Sequence, residues 1–206
     1  MRKLNILFSS VLFSLLLIST GLSQQKEQLA IGSEAPMVNQ SMQTVSGEDI
    51  TLEKAAKANG LVVIFSCNTC PWVDRWEDRY PVISEIAAKN EVGMIALNSN
   101  ENYRERGDGM EDMILRAKKM KYDFSYALDK DHVIADAFGA TRTPHVYLFD
   151  DDMKLVYVGA IDDNARDADA VESFYLKDAI EQMVSGEDIA QSQTRSLGCT
   201  IKRVSE

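Results

Sequence analysis

Five consecutive apolar residues, Leu61-Val62-Val63-Ile64-Phe65, run directly into Ser66-Cys67-Asn68-Thr69-Cys70-Pro71. Three of the five are β-branched, and the run has no polar face. Such a segment belongs in a strand buried on both sides, at the centre of a sheet covered by helices. Pro71 suits the first turn of a following helix, where a missing N–H costs nothing. The pattern is a central strand, two thiols three residues apart, then a helix.

Two thiols at this spacing can close a disulfide within one helical turn. A sulfur at a helix N-terminus feels the positive end of the macrodipole, which lowers its pKa. Cys-x-x-Cys beside a strand–helix pattern reads as a redox site. Cys67 lies nearest the strand end, at the expected first helical position, and reads as the solvent-accessible attacking sulfur. Cys70, one turn in and less exposed, reads as the sulfur that resolves the mixed disulfide. The competing reading is half of a zinc site, but a second Cys-x-x-Cys or His-x-x-His is missing, and Cys199, His132 and His145 are single and scattered.

The N-terminus reads as a targeting segment. Arg2 and Lys3 precede a mostly apolar stretch, Leu4 to Ile18, and Gly21-Leu22-Ser23 supplies small residues for a cleavage site. This predicts a secretory signal peptide over residues 1–23, cut after Ser23. The membrane would then be met only through that segment before cleavage. The expected location is the periplasm or the exterior, where disulfides persist. Loss of Arg2 and Lys3 takes the formal charge from −10 to −12. An acidic chain without a basic run is a poor nucleic-acid binder. Three cysteines are too few for a disulfide scaffold.

Downstream of a polar lead-in (24–30), one domain is expected over 31–190, followed by a polar tail, 191–206, that carries Cys199. Ser46-Gly47 predicts a turn between short strands, and residues 51–59 a short helix ending at Gly60. Val92 to Leu97 reads as a second buried strand. Asp108 and Glu111 read as a capping pair for a helix whose inner face is Met110, Met113, Ile114, Ala117 and Met120. Pro81 should kink or restart the helix that begins at Pro71. Residues 131–138 predict another short helix, closed by Gly139. His145 to Phe149 and Leu155 to Val158 read as a hairpin through Asp150-Asp151-Asp152, and residues 170–184 as the last helix. The order β-α-β-α-β-β-α gives an α/β fold with a parallel crossover and an antiparallel hairpin in one mixed sheet.

Phe65 to Trp72 resembles the active-site segment of the thioredoxin-like superfamily, and Gly32-x-x-Ala35-Pro36 is similar to the start of redoxin domains. Asn98-Ser99-Asn100, Gly159-Ala160-Ile161-Asp162-Asp163 and Leu197-Gly198-Cys199-Thr200-Ile201-Lys202 resemble one subgroup of the peroxiredoxin-like redoxins of the AhpC/TSA type. The resemblance runs from about Ile31 to Lys202. It implies a thioredoxin-like fold, with Thr143-Pro144 at the cis-proline position beside the thiols and Thr143 presenting backbone to a partner. Trp72 would border the substrate groove. The chain departs from thioredoxins at Ser66, at Asn68-Thr69, and at Leu61, which replaces a buried acid.

The implied activity is that of an exported thiol–disulfide oxidoreductase that needs no cofactor. Its partners would be proteins with disulfides or thiols and an upstream redox protein. Cys199 is a possible third thiol: it could resolve Cys67 or Cys70, pair with another chain, or stand by as a spectator. Two alternatives carry specific tests. A peroxiredoxin-like peroxidase needs Pro-x-x-x-Thr-x-x-Cys; counting back from Cys70 finds Cys67 and Val63 instead, with Arg142 as the candidate arginine. A copper-binding module of the Sco type would need His145 to approach the two cysteines.

Overall fold

The computed structural model describes residues 27–204. The predicted signal segment, 1–23, lies outside these residues.

A small hairpin, β1 (Met42–Gln43) and β2 (Asp49–Ile50), turns through Ser46-Gly47 as expected. Thr51 then caps α1, its hydroxyl accepting from the Lys54 N–H at 3.1 Å. That helix covers only Leu52–Ala55, shorter than expected, because Lys57 and Gly60 close a turn against each other. Gly60 is obligatory there: its φ is +121°, and a Cβ would meet the Phe149 carbonyl oxygen at 2.1 Å.

Strand β3 (Leu61–Ser66) is buried along its whole length. Helix α2 (Pro71–Trp76) has Pro71 at its first position and gives way to a 3₁₀ turn at Glu77–Arg79. A second helix, α3 (Tyr80–Lys89), restarts with Pro81 in its first turn. Next come β4 (Gly93–Asn98), α4 (Met110–Met120), β5 (Ser125–Leu128) and α5 (Val133–Ala137). Only Met113 and Ala117 of the predicted α4 face are buried, and Ile114 is exposed, because α4 packs at the edge of the sheet.

The chain closes with β6 (Arg142–Thr143), β7 (His145–Phe149), β8 (Leu155–Gly159), α6 (Tyr175–Ser185) and β9 (Cys199–Thr200). Helix α6 starts five residues later than the sequence suggests: Ala168–Ala170 forms a separate 3₁₀ turn, and the link to Tyr175 is extended.

The main sheet runs β5-β4-β3-β7-β8. Strands β3, β4 and β5 are parallel; β7 and β8 add antiparallel. The continuous apolar run of β3 thus occupies the centre of a mixed sheet. Its alternating side chains feed two cores. Val62 and Ile64 pack with Val73, Tyr80, Ile180 and the two thiols on one face. Leu61, Val63 and Phe65 pack with Phe138, Tyr147 and Phe149 on the other.

Residues 191–204, expected as a polar tail, are woven into the fold. Gln193 bridges to Val158, Thr194 Oγ1 receives the Ala160 N–H at 2.9 Å, and Ile201 is buried in the second core. The Arg203 guanidinium reaches Asp136 at 2.7 Å and the Ala140 carbonyl at 2.6 Å. Polar residues line this segment because it lies on the surface; scattered apolar anchors hold it down.

Candidate active site

Cys67 leaves β3 at the carboxyl end of the sheet, and the next two residues loop to Cys70. A buried carboxylate holds that loop. The Asn68 N–H donates to Asp108 Oδ1 at 2.6 Å, and the Thr69 hydroxyl to Oδ2 at 2.7 Å. Asn98 and Asn100 add side-chain donors at 2.9 Å each. Asp108 is 0 % exposed, so four donors converge on one desolvated group. Arg104 ties the network together, donating to Asn98 Oδ1 and to the carbonyls of Asn98, Asp108 and Asp129.

This engagement explains why Asp108 does not cap α4. Gly109 occupies the cap position without a side-chain bond, while the Asp108 carboxylate points to the thiol loop. It is the site residue that sequence reasoning missed. The available signal was Gly107-Asp108-Gly109, an acid between two glycines, following the polar Asn98-Ser99-Asn100 that ends a buried strand.

The stretched loop delays the helix by one turn. Helix α2 begins at Pro71, and Cys70 is its N-cap residue. Cys67 lies before the helix, and both cysteines are 2 % exposed. The two premises for Cys67 as attacking sulfur, greater exposure and the first helical position, therefore do not hold.

The electrostatics follow the same division. Cys67 is held well above an ordinary thiol, first because it donates its proton to Cys70, then through burial and the negative charge of Asp108. Cys70 is lowered to about 5. The hydrogen bond from Cys67 dominates; Cys199, Thr143 and the Val73 N–H add to it, against burial. As a thiol, Cys70 donates to the Thr143 carbonyl at 3.2 Å. Ionisation gives up that contact and keeps the donors.

The Thr143–Pro144 peptide bond is cis. Thr143 touches both sulfurs: its hydroxyl is 3.2 Å from Cys67 Sγ, and its carbonyl 3.2 Å from Cys70 Sγ. Trp72 is half-buried against the thiol-bearing core, with the Arg75 guanidinium 4.8 Å above its ring. Cys199 joins the same group. Strand β9 pairs antiparallel with β6, putting Cys199 opposite Thr143 and against the thiol-bearing core, where burial and then hydrogen bonding to Cys70 raise it to about 11.

His145 faces away from the thiols. Its ring packs on Tyr147, with Nδ1 3.4 Å from the tyrosine hydroxyl, and burial lowers it to about 4. Tyr147 belongs to the core on the opposite face of the sheet from Cys67 and Cys70, so the copper arrangement with His145 is not formed. Among the described residues, no group of three or more His, Cys, Asp or Glu side chains is placed to hold a metal ion. Arg142 donates to the Gly198 carbonyl at 3.1 Å.

The Redoxin family matches residues 30–173, most of the chain. The chain belongs to the Redoxin family. No curated protein matches this redoxin by sequence. An uncharacterized conserved protein from Geobacillus kaustophilus is similar in structure, with TM-score 0.79 and 28% identity over 86% of this chain and 94% of that one. A hypothetical protein from Sinorhizobium meliloti 1021 is similar too, with TM-score 0.79 and 26% identity over 87% and 98%. The thioredoxin domain of a thiol-disulfide oxidoreductase from Bacteroides vulgatus has TM-score 0.58 at 20% identity over 76% and 99%, a likeness of fold. The α/β, thioredoxin-like architecture expected from sequence is the one observed.

Proposed function

We propose that this redoxin is an exported thiol–disulfide oxidoreductase in which Cys70 attacks and Cys67 resolves. The observation that carries this reading is the position of Cys70: N-cap of α2, lowered to about 5, with Cys67 as the donor to its sulfur. A thiolate at neutral pH is the species that attacks a disulfide. Cys70 would displace one sulfur of a partner disulfide. The Cys67 thiol, losing its proton as it attacks, would then release the partner as a thiol and leave Cys67–Cys70 oxidised. The reverse sequence oxidises a partner.

Thr143-Pro144 would position a partner backbone, with Trp72 packed beside the same thiol-bearing core. The partners are proteins with disulfides or thiols and an upstream redox protein. Export rests on the Arg2-Lys3 and Leu4 to Ile18 pattern. The peroxidase alternative is less well supported. Cys67 stands where a peroxidatic Cys70 would need its threonine, and Arg142 donates to the Gly198 carbonyl.

Reduction of insulin disulfides, followed by turbidity, tests the reading. The wild-type protein is expected to accelerate it, Cys70→Ser to abolish it, and Cys67→Ser to accumulate insulin-linked protein on non-reducing gels. Equal trapping through Cys67 in Cys70→Ser would reverse the assigned roles. Rapid hydrogen peroxide consumption without insulin reduction would replace the reading by a peroxidase.

A further inference from the structure

Cys70 is a sulfur with two thiol neighbours, and the second arrives by a specific route. Strand β9 pairs with β6 in the register Arg142↔Thr200 and Thr143↔Cys199. Its neighbours lock that register: the Ile201 N–H donates to the Thr141 carbonyl at 3.1 Å, and Lys202 N–H to Asn100 Oδ1 at 2.9 Å. Ile201 is 2 % exposed. Gly198 lies so close to the cis peptide that a Cβ would meet the Thr143 carbonyl oxygen at 2.3 Å. The backbone edge of Thr143 is therefore filled by the chain's own strand. An extended polypeptide adds to a sheet by pairing with a free edge; here the edge next to Cys70 has an internal occupant that carries a thiol.

We infer that β9 is a built-in partner strand: Cys199 exchanges with the Cys67–Cys70 disulfide, and the strand must leave before an external polypeptide can pair with Thr143. This rests on the reading of Cys70 as the exchanging sulfur. The step is an isomerisation and needs no oxidant. The Cys199 thiolate attacks Cys70 Sγ, the Cys70–Cys199 bond forms, the Cys67–Cys70 bond breaks, and Cys67 leaves as thiolate. The proton lost by Cys199 is taken up by Cys67. In the reduced protein both sulfurs are held above the ordinary thiol range.

An intramolecular thiol held by strand pairing acts at an effective concentration on the order of millimolar or more. It therefore competes well with dilute protein partners. The oxidised protein would exist as two isomers. In one, Cys199 is a free thiol. In the other the strand is bonded in place and Cys67 is free.

Tryptic mapping of the oxidised full chain under acidic, non-reducing conditions distinguishes them. Cys67 and Cys70 share the peptide 58–75, and Cys199 lies on 196–202. After treatment with oxidised glutathione, wild type is expected to give both the internal disulfide of 58–75 and the link between 58–75 and 196–202. Cys67→Ser is expected to give the cross-link as its main product. Gly198→Ala, which places a methyl against the Thr143 carbonyl, is expected to lose the cross-link. It should also speed alkylation of Cys70 by a bulky maleimide at least about tenfold, the order expected from freeing backbone hydrogen bonds.

A Cys67→Ser protein that carries glutathione on Cys70, with no link to 196–202, would overturn the inference while leaving Cys70 an exchanging sulfur. Unchanged maleimide reactivity in folded Gly198→Ala would overturn the gating role of the strand. If Cys70 forms no disulfide in any variant, the functional reading itself fails.

Discussion

Asp108 accepts the Thr69 hydroxyl at 2.7 Å, and through that bond a residue preceding α4 sets where α2 begins. The loop Asn68-Thr69 is spent on reaching Asp108, so the helix starts after the second cysteine. The same carboxylate raises Cys67 by its charge. One buried group thus sets the geometry of the pair and adds its charge to the hydrogen bond and burial that keep the proton on Cys67.

Asp108→Asn keeps the shape and removes the charge. In either orientation the amide turns its NH₂ toward two of the four donors, so stability is expected to fall by about 1–3 kcal/mol or more, read as a lower urea midpoint. In the same variant Cys67 should ionise at lower pH. Thiolate absorbance near 240 nm is expected to show its second step shifted toward neutrality; an unshifted step would remove Asp108 from the account.

Alkylation of Cys70 by iodoacetamide should be half-maximal near pH 5, following its thiolate. An unperturbed cysteine would instead titrate near pH ~8.5. Cys67→Ser removes the largest cause of the shift, so the midpoint is expected to move upward in that variant. Mass spectrometry of peptide 58–75 assigns the modified sulfur.

The reduced protein should gain stability relative to the oxidised form as pH rises from about 5 toward 9. The sign follows from linkage. Folded Cys70 is lowered to about 5 from 9.0, so across that window the unfolded chain binds a proton that the folded chain lacks. This contribution is complete above the unfolded pKa and is lost as pH falls through the folded one. The reduced-minus-oxidised difference in urea midpoint cancels groups that titrate alike in both forms, including His145; Cys67, raised in the folded protein, opposes the gain only as pH approaches 9. A flat difference across the window would contradict the thiolate assignment.

Ile201→Ala empties a buried position that anchors the segment after β9. Deleting this much apolar volume typically costs about 2–5 kcal/mol. Native-state labelling of Cys199 with a chromogenic disulfide reagent is expected to accelerate in parallel with the lost stability. Faster labelling without destabilisation would mean that Ile201 anchors the tail but not the core.

Features written in short stretches of chain were legible. The apolar run of β3, Pro71 at a helix start, the restart at Pro81 and the hairpin through Asp150 to Asp152 depend on neighbours in sequence. What depended on distant partners was not. Asp108 had two possible uses, as a cap or as an anchor for Asn68 and Thr69, and only the folded arrangement of β3 beside β4 selects the second. The delayed start of α2 follows from that choice, and with it the assignment of Cys70 rather than Cys67. Helix α6 begins late because Leu176 binds the Ile161 carbonyl and Asp163 receives the Glu172 N–H, contacts between separate segments. Strand β9 has two residues and no pattern of its own; its place is fixed by Gly198 against Thr143 and by Ile201 in the core.

The strand that covers Cys70 is made long after Cys70 itself. Chains emerge and fold from the N-terminus, so during synthesis the thiol pair is assembled before its cover exists. A newborn chain would carry an unguarded Cys70 until residues 197–203 arrive. Any nick in the segment leading to them would return the mature protein to that juvenile state.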